Sequence, residues 1–299
     1  VFAEIYASKI SAKFILADEM LRFETIAREE EGHLHLLYPL SFRLDFPAKI
    51  EVNERVTKKP AEPFKIFSEG SLRAIEEKLS GKKNIFIFSL RKGLATMTIC
   101  RDCGETILCE NCSSPLVLHE TKHGKKRMFV CNRCQHDWGA DKKCARCGSW
   151  NLIPLGIGTD TVYEEVRKIF PKYKILKLDK KSARSASGAK KIAREFEDGD
   201  GTILIGTEMA FFYLQEKVSL SVLASFDTLW SIPDFRMSEK AFRIVLELAE
   251  ITTEKIIIET KNPKDPAILA IKSGNLLQFV RSELSDRKKL GYPPYERFI

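Results

Sequence analysis

All eight cysteines of this 299-residue chain lie between Cys100 and Cys147. They form four Cys-x-x-Cys pairs: Cys100/Cys103, Cys109/Cys112, Cys131/Cys134 and Cys144/Cys147. A Cys-x-x-Cys turn directs two sulfurs to one centre, and two such turns complete a tetrahedral site of four thiolates for zinc. The eight cysteines therefore predict two structural zinc ions with no open coordination position.

A disulfide framework is the alternative use of so many cysteines, and it is typical of small secreted domains. This chain is long, has no signal sequence at Val1–Tyr6 and spaces its cysteine pairs regularly. These features favour zinc over disulfides, and the missing signal sequence predicts a cytoplasmic protein.

The spacing between the pairs predicts which of them share a metal ion. Only five residues separate Cys103 from Cys109, whereas 18 residues separate Cys112 from Cys131, which is enough for a β-hairpin. The predicted ligand sets are therefore nested: Cys100, Cys103, Cys144 and Cys147 for one zinc, and Cys109, Cys112, Cys131 and Cys134 for the other. A cross-braced arrangement stays open as the alternative. Three nearby histidines exceed the ligand count and are interpreted as surface or hairpin residues: His119, His123 and His136.

The formal net charge of +8 is unevenly distributed along the chain. The segment Lys172–Arg194 has seven Lys and two Arg against one acid, Asp179. The segment Cys100–Cys147 has nine basic and six acidic residues, and it falls to about −1 once eight thiolates and two zinc ions are counted. Phosphate contacts are therefore expected in Lys172–Arg194 rather than in the zinc segment. A solvated basic face is the alternative interpretation, with equal weight.

Short apolar runs alternate with amphipathic stretches, which predicts an α/β fold with a parallel sheet. The predicted strands are Lys13–Ala17, His33–Leu40, Asn84–Ser89, Asn151–Leu155, Lys174–Leu178, Thr202–Gly206, Ser221–Phe226 and Lys255–Thr260. The predicted helices are Val1–Ile10, Met20–Glu31, Ser71–Leu79, Thr159–Phe170, Gly188–Phe196, Met237–Ile251, Pro266–Ser273 and Leu276–Lys289. No apolar run approaches the roughly 18 residues of a membrane-spanning helix.

The order of these elements predicts three regions. Phe42–Pro63 has three prolines and mixed charge, so it is predicted to be a connector that ends a first region, 1–63. The parallel-sheet region comprises 64–99 and 148–299, and the zinc segment 100–147 is inserted into it. Ligands of open α/β sheets bind at the carboxyl ends of strands, so the turns after Ser89, Gly206 and Phe226 are the expected binding positions.

Several stretches resemble those of one protein family. They are CRDCG at Cys100–Gly104, CENC at Cys109–Cys112, CARCGS at Cys144–Ser149, LGIGT at Leu155–Thr159, ILIGTEM at Ile203–Met209, IPDFR at Ile232–Arg236 and LGYPPYERF at Leu290–Phe298. Together and in this order they resemble the family of primosomal protein N′, the PriA-type superfamily 2 DNA helicases of bacterial replication restart.

The resemblance implies the tail of helicase lobe 1 over 1–63, followed by a RecA-like lobe 2 that carries the two-zinc insertion. It also supports the nested pairing of the cysteines. In the family, ATP binds between the lobes, and single-stranded DNA crosses both. The implied partners are single-stranded or forked DNA and other primosome or replication proteins. The candidate DNA contacts are the turn residues Thr159 and Thr207 and the basic residues Lys180, Lys181, Arg184, Lys190 and Lys191.

The chain departs from the family in its ATP-binding motifs. It has neither a G-x-x-x-x-G-K-[ST] phosphate loop nor a DEAH-like box, both of which would precede Val1 in the family's order. The family's GSATPS aligns with ADEMLR at Ala17–Arg22, and its motif V continues as AFFYLQEK after Met209. Its QVAGRAGR aligns with ELAEITTE at Glu247–Glu254, which places Ile251 and Glu254 at the two arginine positions. A missing arginine finger costs about 10³–10⁵ in rate, so ATP binding and hydrolysis by this chain are doubtful.

These departures lead to three hypotheses. The first is a DNA-binding or scaffold protein of the primosomal helicase family without ATPase activity. The second is part of an active 3′-to-5′ helicase whose nucleotide-binding half lies upstream or on another polypeptide. The third is a zinc-organised protein-interaction module, in which Met128, Phe129 and Trp138 serve either as interface anchors or as the module's core.

Overall fold

The computed structural model describes residues 2–18, 20–35, 46–55, 65–90, 97–120, 127–139, 141–232 and 234–296. Its strands are β1 (Lys49–Glu54), β2 (Ile85–Phe88), β3 (Met97–Cys100), β4 (Val117–Glu120), β5 (Arg127–Val130), β6 (Asp137–Trp138), β7 (Leu152–Leu155), β8 (Ile175–Leu178), β9 (Ile203–Gly206), β10 (Val218–Leu223) and β11 (Thr252–Thr260). Its helices are α1 (Phe2–Lys9), α2 (Phe23–Glu30), α3 (Glu69–Ser80), α4 (Thr159–Ile169), α5 (Ala186–Glu197), α6 (Met237–Ile251), α7 (Pro266–Ser273) and α8 (Leu276–Lys289). None of the helices in the described ranges has the length and hydropathy needed to span a bilayer.

The chain forms two compact units, Val1–Phe42 with Leu277–Ile299, and Arg43–Leu276. In the smaller unit, the ring of Phe23 packs edge-on against Phe279, with centroids 6.5 Å apart. The Arg287 guanidinium lies 5.3 Å from the centre of the Phe23 ring and 3.5 Å from the Glu24 carboxylate. These contacts join α2 to α8, so residues far apart in sequence build this unit together.

A six-stranded sheet in the order β1-β11-β10-β2-β9-β8 organises the larger unit. Every strand pair in it is parallel, which confirms the predicted α/β class. The central strands β2, β9 and β10 are buried along their whole length. Their continuous apolar runs are typical of parallel strands that are covered on both faces.

The side chains of β2 alternate between the two faces of the sheet, as the strand period requires. Ile85 and Ile87 pack in one apolar core with residues of α3 and α4. Phe86 and Phe88 contact Phe211 instead, with ring centroids 5.9 and 5.6 Å apart. The sheet therefore has an apolar layer on each side.

The cysteine-rich segment leaves the sheet after β2 and returns to it before α4. It opens and closes with the antiparallel pair β3–β7, and it contains a second small sheet, β4-β5-β6. Met97 and Ile99 of β3 belong to the same apolar core as the large sheet. The insertion is thus packed onto the sheet layer through its first strand.

The structure differs from two of the predicted elements in the N-terminal part. The predicted strand Lys13–Ala17 is wrong, because these residues are irregular and Ile15 is 62% exposed. The predicted connector Phe42–Pro63 contains β1, an edge strand that pairs with β11. The four central residues of β1 are all half-buried, and its sequence lacks the continuous apolar run that predicts the inner strands of the sheet. The predicted strand His33–Leu40 lies mostly outside the described residues, and 33–35 are not in a strand.

Candidate metal centres and nucleic-acid interface

The four Cys-x-x-Cys turns share one backbone pattern. In each turn, the first cysteine's carbonyl accepts a hydrogen bond from the residue four positions later, at 2.8–2.9 Å. The first cysteine's own N–H donates to the carbonyl five positions later, at 2.7–2.9 Å. The two bonds close a tight loop, and this loop directs both sulfurs toward one side.

The residue after the second cysteine has a left-handed backbone in all four turns. It is Gly104 (φ 70°), Ser113 (φ 57°), Gln135 (φ 59°) and Gly148 (φ 72°). Glycine adopts this conformation without steric cost, whereas other residues pay for it. The first and fourth turns therefore have the glycine that a left-handed backbone favours, and the second and third turns have Ser113 and Gln135 in its place.

The turns meet in pairs and bring the sulfurs into two groups of four. Within each group the ligand atoms all lie within 4.8 Å of one another, and the groups are Cys100, Cys103, Cys144 and Cys147, and Cys109, Cys112, Cys131 and Cys134. This is the predicted nested arrangement rather than the cross-braced one. The closest sulfur pairs are separated by 3.4–3.6 Å. That separation is far beyond the roughly 2.05 Å of a disulfide, and it is near the roughly 3.8 Å edge of a tetrahedron with Zn–S bonds of about 2.3 Å.

Electrostatics favours a cation at the centre of each group. Burial raises the pKa of the Cys109 thiol to about 11, and burial also raises the pKa of Cys103. In the second group, a hydrogen bond from the Cys131 thiol lowers the pKa of Cys112 to about 4. Four adjacent buried thiolates therefore require a positive ion between them. The donor set of four sulfurs fits zinc.

Apolar side chains between the two groups form the core of the insertion. Ile107, Leu116, Leu118 and Phe129 pack together with the buried cysteines, and Trp138 lies against them. The His136 ring lies beside Trp138, with ring centroids 4.9 Å apart and planes inclined by 55°, and it is not part of either sulfur group. Of the three side chains considered as interface anchors, Phe129 and Trp138 are thus core residues, and Met128 is exposed. His123 lies outside the described residues.

Polar contacts connect both sulfur groups to the sheet. Lys261, at the end of β11, donates to the carbonyl of Gly104 at 3.2 Å. Arg133, between Cys131 and Cys134, lies 4.7 Å from the centre of the Trp230 ring and 3.4 Å from Asp265. The insertion is therefore anchored to the sheet layer through one residue beside each metal group.

A cleft of about 490 Å³ opens at the carboxyl ends of β2, β8 and β9. Ser89 and Thr207, from two of the three predicted turns, lie in its lining, together with the basic residues Lys180, Arg184 and Lys240. Asp227, in the third turn, forms an ion pair with buried Arg55 and accepts a hydrogen bond from Thr260 at 2.6 Å. The third turn therefore joins β1 to β10 and β11 and has a structural role.

The predicted DNA contacts occupy different environments. Lys180, Arg184 and Thr207 line the cleft. Lys190 and Lys191 are exposed on α5, and Lys181 lies 3.7 Å from Asp160. The Thr159 side chain is 1% exposed, and its hydroxyl donates to Asp179 at 2.7 Å. The structure thus brings Lys180, Arg184 and Thr207 together, and it places the Thr159 hydroxyl in a buried hydrogen bond.

Asp179 shapes the loop that carries the basic cleft residues. Its carboxylate accepts hydrogen bonds from the backbone of Lys181 at 3.0 Å and of Ser182 at 2.8 Å. In the sequence, Asp179 stands out only as the one acid of a basic segment, and nothing marks Lys240. Lys240 comes from α6, and it pairs with Glu208 at 2.7 Å across the cleft. No local pattern signals that contact, because the two residues are 32 positions apart in the chain.

Comparison with known proteins identifies the family. No protein-family model matches the chain. Curated proteins named replication restart protein PriA are similar to it: the protein from Thermotoga maritima is 31% identical over 238 residues, which is 78% of this chain and 32% of that protein. The protein from Treponema pallidum is 30% identical over 71% of this chain and 33% of its own length. Over this matched part, the chain belongs to the PriA family. The protein from Synechocystis is 27% identical over 84% of this chain and 32% of its own length.

The chain spans about a third of the length of the PriA proteins that it matches. The stretch that was predicted to correspond to the family's motif VI, Glu247–Glu254, lies at the end of α6 and the start of β11. There, Glu254 forms an ion pair with Lys78 at 2.6 Å, and Ile251 is the last residue of α6. Glu254, the residue predicted to stand at the family's second arginine position, thus has a partner within this chain.

Proposed function

We propose that this chain is a DNA-binding part of a PriA-type replication restart protein, with two structural zinc ions and without ATPase activity of its own. The observation that carries the proposal is the cleft at the carboxyl ends of the parallel strands, where Lys180 and Arg184 meet Thr207. Lys180 and Arg184 have no ion pair with another residue of the described part of the chain. Their charges are therefore available to phosphate groups.

The basic surface continues from the cleft along α5. This helix buries Ala189, Ala193 and Phe196 and exposes Lys190 and Lys191. By contrast, Lys174 and Lys177 of the same basic segment are paired with Glu195 and Asp160. The charge that remains for a polyanion is thus concentrated at the cleft and on the exposed face of α5.

Fluorescence anisotropy with labelled single-stranded and forked oligonucleotides tests this proposal. We expect binding whose logarithm falls linearly with the logarithm of the salt concentration. Removing one phosphate contact, in Lys180→Ala or Arg184→Ala, should reduce that slope by roughly 0.7 for single strands. Lys174→Ala is the matched control, because Lys174 is already paired with Glu195 at 2.9 Å. Absence of binding to either oligonucleotide at low salt would refute the proposal.

The absence of hydrolysis is supported by the sequence at the ATP-binding motifs, where no phosphate loop is present and Glu254 replaces an arginine. We expect no DNA-stimulated release of phosphate from ATP by this chain. Hydrolysis that appears when a separate nucleotide-binding half is supplied, and that is lost on mutation of the phosphate loop of that half, would favour the active-helicase hypothesis instead.

A protein-interaction role of the insertion is supported by its exposed apolar side chains. Met128 of the insertion is 43% exposed, and Trp150, three residues beyond its end, is 54% exposed. The insertion itself carries almost no net charge with two zinc ions bound. A near-neutral surface with isolated apolar residues suits a protein partner better than a polyanion. Pull-down of replication proteins by wild type, compared with Met128→Glu and Trp150→Ser, tests this role. Equal recovery with all three would count against it.

A further inference from the structure

Phe212 is a large aromatic side chain that faces solvent beside the basic cleft. It is 84% exposed, on a single 3₁₀ turn, Glu208–Phe212, that follows β9. Residues on both sides of it in sequence, Met209 and Tyr213, line the cleft. Single exposed apolar side chains are common, but this one stands beside a basic cleft, where its ring offers a bound ligand apolar surface to cover.

The 3₁₀ turn holds Phe212 on a rigid support. The preceding residue, Phe211, points the opposite way and stacks on Phe88, with centroids 5.6 Å apart and planes inclined by 10°. At the start of the turn, Gly206 allows a close approach, because a Cβ there would lie 2.8 Å from the Ala210 methyl carbon. The ion pair between Glu208 and Lys240 joins the turn to α6. These contacts hold the backbone that carries Phe212, so little backbone freedom is lost when a ligand binds to the ring.

The charge around the ring selects the class of ligand. Lys180 and Arg184 line the adjoining cleft, and the one acid in its lining, Glu208, is already paired with Lys240. A polyanion that also carries flat aromatic groups satisfies both features, and single-stranded nucleic acid is such a ligand. A duplex offers its phosphates but keeps its base faces stacked.

We infer that Phe212 is a stacking platform for one unpaired base of a single strand whose phosphates lie at Lys180 and Arg184. This inference rests on the proposed DNA-binding function and adds a specificity for unpaired bases to it. Stacking on an aromatic side chain is tolerant of sequence, since every base has a π-face. Phe212 therefore separates single strands from duplexes without reading their sequence.

The experiment compares two probes that have the same phosphates. One is a labelled oligodeoxythymidine of roughly 12 nucleotides, within the range of about 4–16 that one such site covers, and the other is an abasic strand of equal length. The proteins are the whole chain as wild type, Phe212→Ala, Phe212→Trp and Arg184→Ala. We expect wild type to bind the thymidine strand about 5- to 100-fold more tightly than the abasic strand, and Phe212→Ala to lose this preference. Phe212→Trp should retain it, and its added fluorescence should be quenched by the thymidine strand alone.

The remaining outcomes separate the inference from the function on which it rests. Arg184→Ala should weaken binding of both probes and leave their ratio unchanged. If Phe212→Ala keeps the wild-type ratio while Arg184→Ala weakens both probes, DNA binding stands and the stacking role is wrong. If wild type self-associates in sedimentation and Phe212→Ala does not, the ring contacts a second copy of the chain rather than a base. This result would also overturn the inference. If wild type binds neither probe, the proposed function fails, and the inference fails with it.

Discussion

The Thr159 hydroxyl donates a hydrogen bond of 2.7 Å to the Asp179 carboxylate, and both side chains are buried. Thr159 is the first residue of α4, and Asp179 follows β8. The other oxygen of Asp179 accepts from the backbone of Lys181 and Ser182. This contact therefore links the start of a helix to the loop that carries Lys180 and Arg184.

Replacing Thr159 by valine should destabilise the protein by about 1–3 kcal/mol, because the buried carboxylate loses a donor that nothing replaces. Thr159→Ser keeps the hydroxyl and should cost less. Urea denaturation of the three proteins measures the free energy of unfolding. If the Thr159 hydroxyl instead contacts phosphate, Thr159→Val will lower DNA affinity and leave the stability unchanged.

The stability should also depend on pH through Asp179. Burial opposes ionisation, but the hydrogen bonds from Thr159, Ser182 and Lys181 outweigh it and hold the pKa of Asp179 below its usual value. A carboxyl of this kind contributes stability above the unfolded pKa of about 3.9, and this contribution is lost as the pH falls through the lower folded value. Asp179→Asn should therefore be less stable than wild type at neutral pH, with a gap that narrows in acid.

Denaturation at several pH values tests this expectation, and zinc release in acid affects both proteins alike. Asp200→Asn, in an exposed turn, is the control and should follow wild type throughout. A gap between wild type and Asp179→Asn that is the same at all pH values would contradict the role given to this carboxylate.

The sequence predicted the parts of the fold in which local pattern and long-range packing agree. The apolar runs of β2 and β9 are buried central strands, as predicted, and the predicted boundaries of α6, α7 and α8 match the structure to the residue. Lys13–Ala17 is also largely apolar, yet no strand among the residues that the structure describes pairs with it. An apolar run predicts burial, but the partner that would bury it is not encoded in the run itself.

The candidate site could also be predicted only in part from the sequence. The spacing of the cysteines favours the nested pairing, because five residues between Cys103 and Cys109 make a short return, but it leaves the cross-braced alternative open, and the folded chain decides between them. The rule that ligands bind at the carboxyl ends of parallel strands correctly selects Ser89 and Thr207, which line the cleft. It also selects the turn that contains Asp227, but there the carboxylate is paired with Arg55. Lys240 and the exposure of Phe212 depend on how α6 and the 3₁₀ turn pack on the sheet, and local sequence does not specify that packing.

Metal analysis of the purified chain should find two zinc ions per molecule. Cys103→Ser and Cys112→Ser should each lose one ion, because they belong to different sulfur groups. The double variant should lose both. Zinc released by a thiol-blocking reagent and captured by a coloured chelator gives the count. Loss of both ions in either single variant would mean that the two sites do not fold independently, and one ion in wild type would contradict the two-site geometry.

The left-handed residues of the turns allow a matched pair of substitutions. Gly148→Ala should cost about 1–2 kcal/mol through its backbone alone, because no atom lies within 4 Å of the added methyl group. Ser113→Gly removes the same strain from the equivalent position and should be neutral or stabilising. The rate at which a chelator removes zinc measures the stability of each turn, because a less stable turn releases its ion faster. Equal chelation rates for Gly148→Ala and wild type would show that this position tolerates a side chain.

Arg133 and Arg146 stand at the same position of their turns, in Cys131–Cys134 and Cys144–Cys147. The Arg133 guanidinium stacks over Trp230 and pairs with Asp265, whose side chain is only 6% exposed, whereas Arg146 pairs with the partly exposed Glu105. Arg133→Ala should therefore destabilise the chain by about 1–2 kcal/mol and shift the Trp230 emission, and Arg146→Ala should cost under about 1 kcal/mol. Arg133→Lys keeps the charge but loses the flat stacking surface, so it should fall between the two. If Arg133→Ala and Arg146→Ala lose the same free energy of unfolding, the Cys131–Cys134 turn is anchored to the sheet by contacts other than those of Arg133.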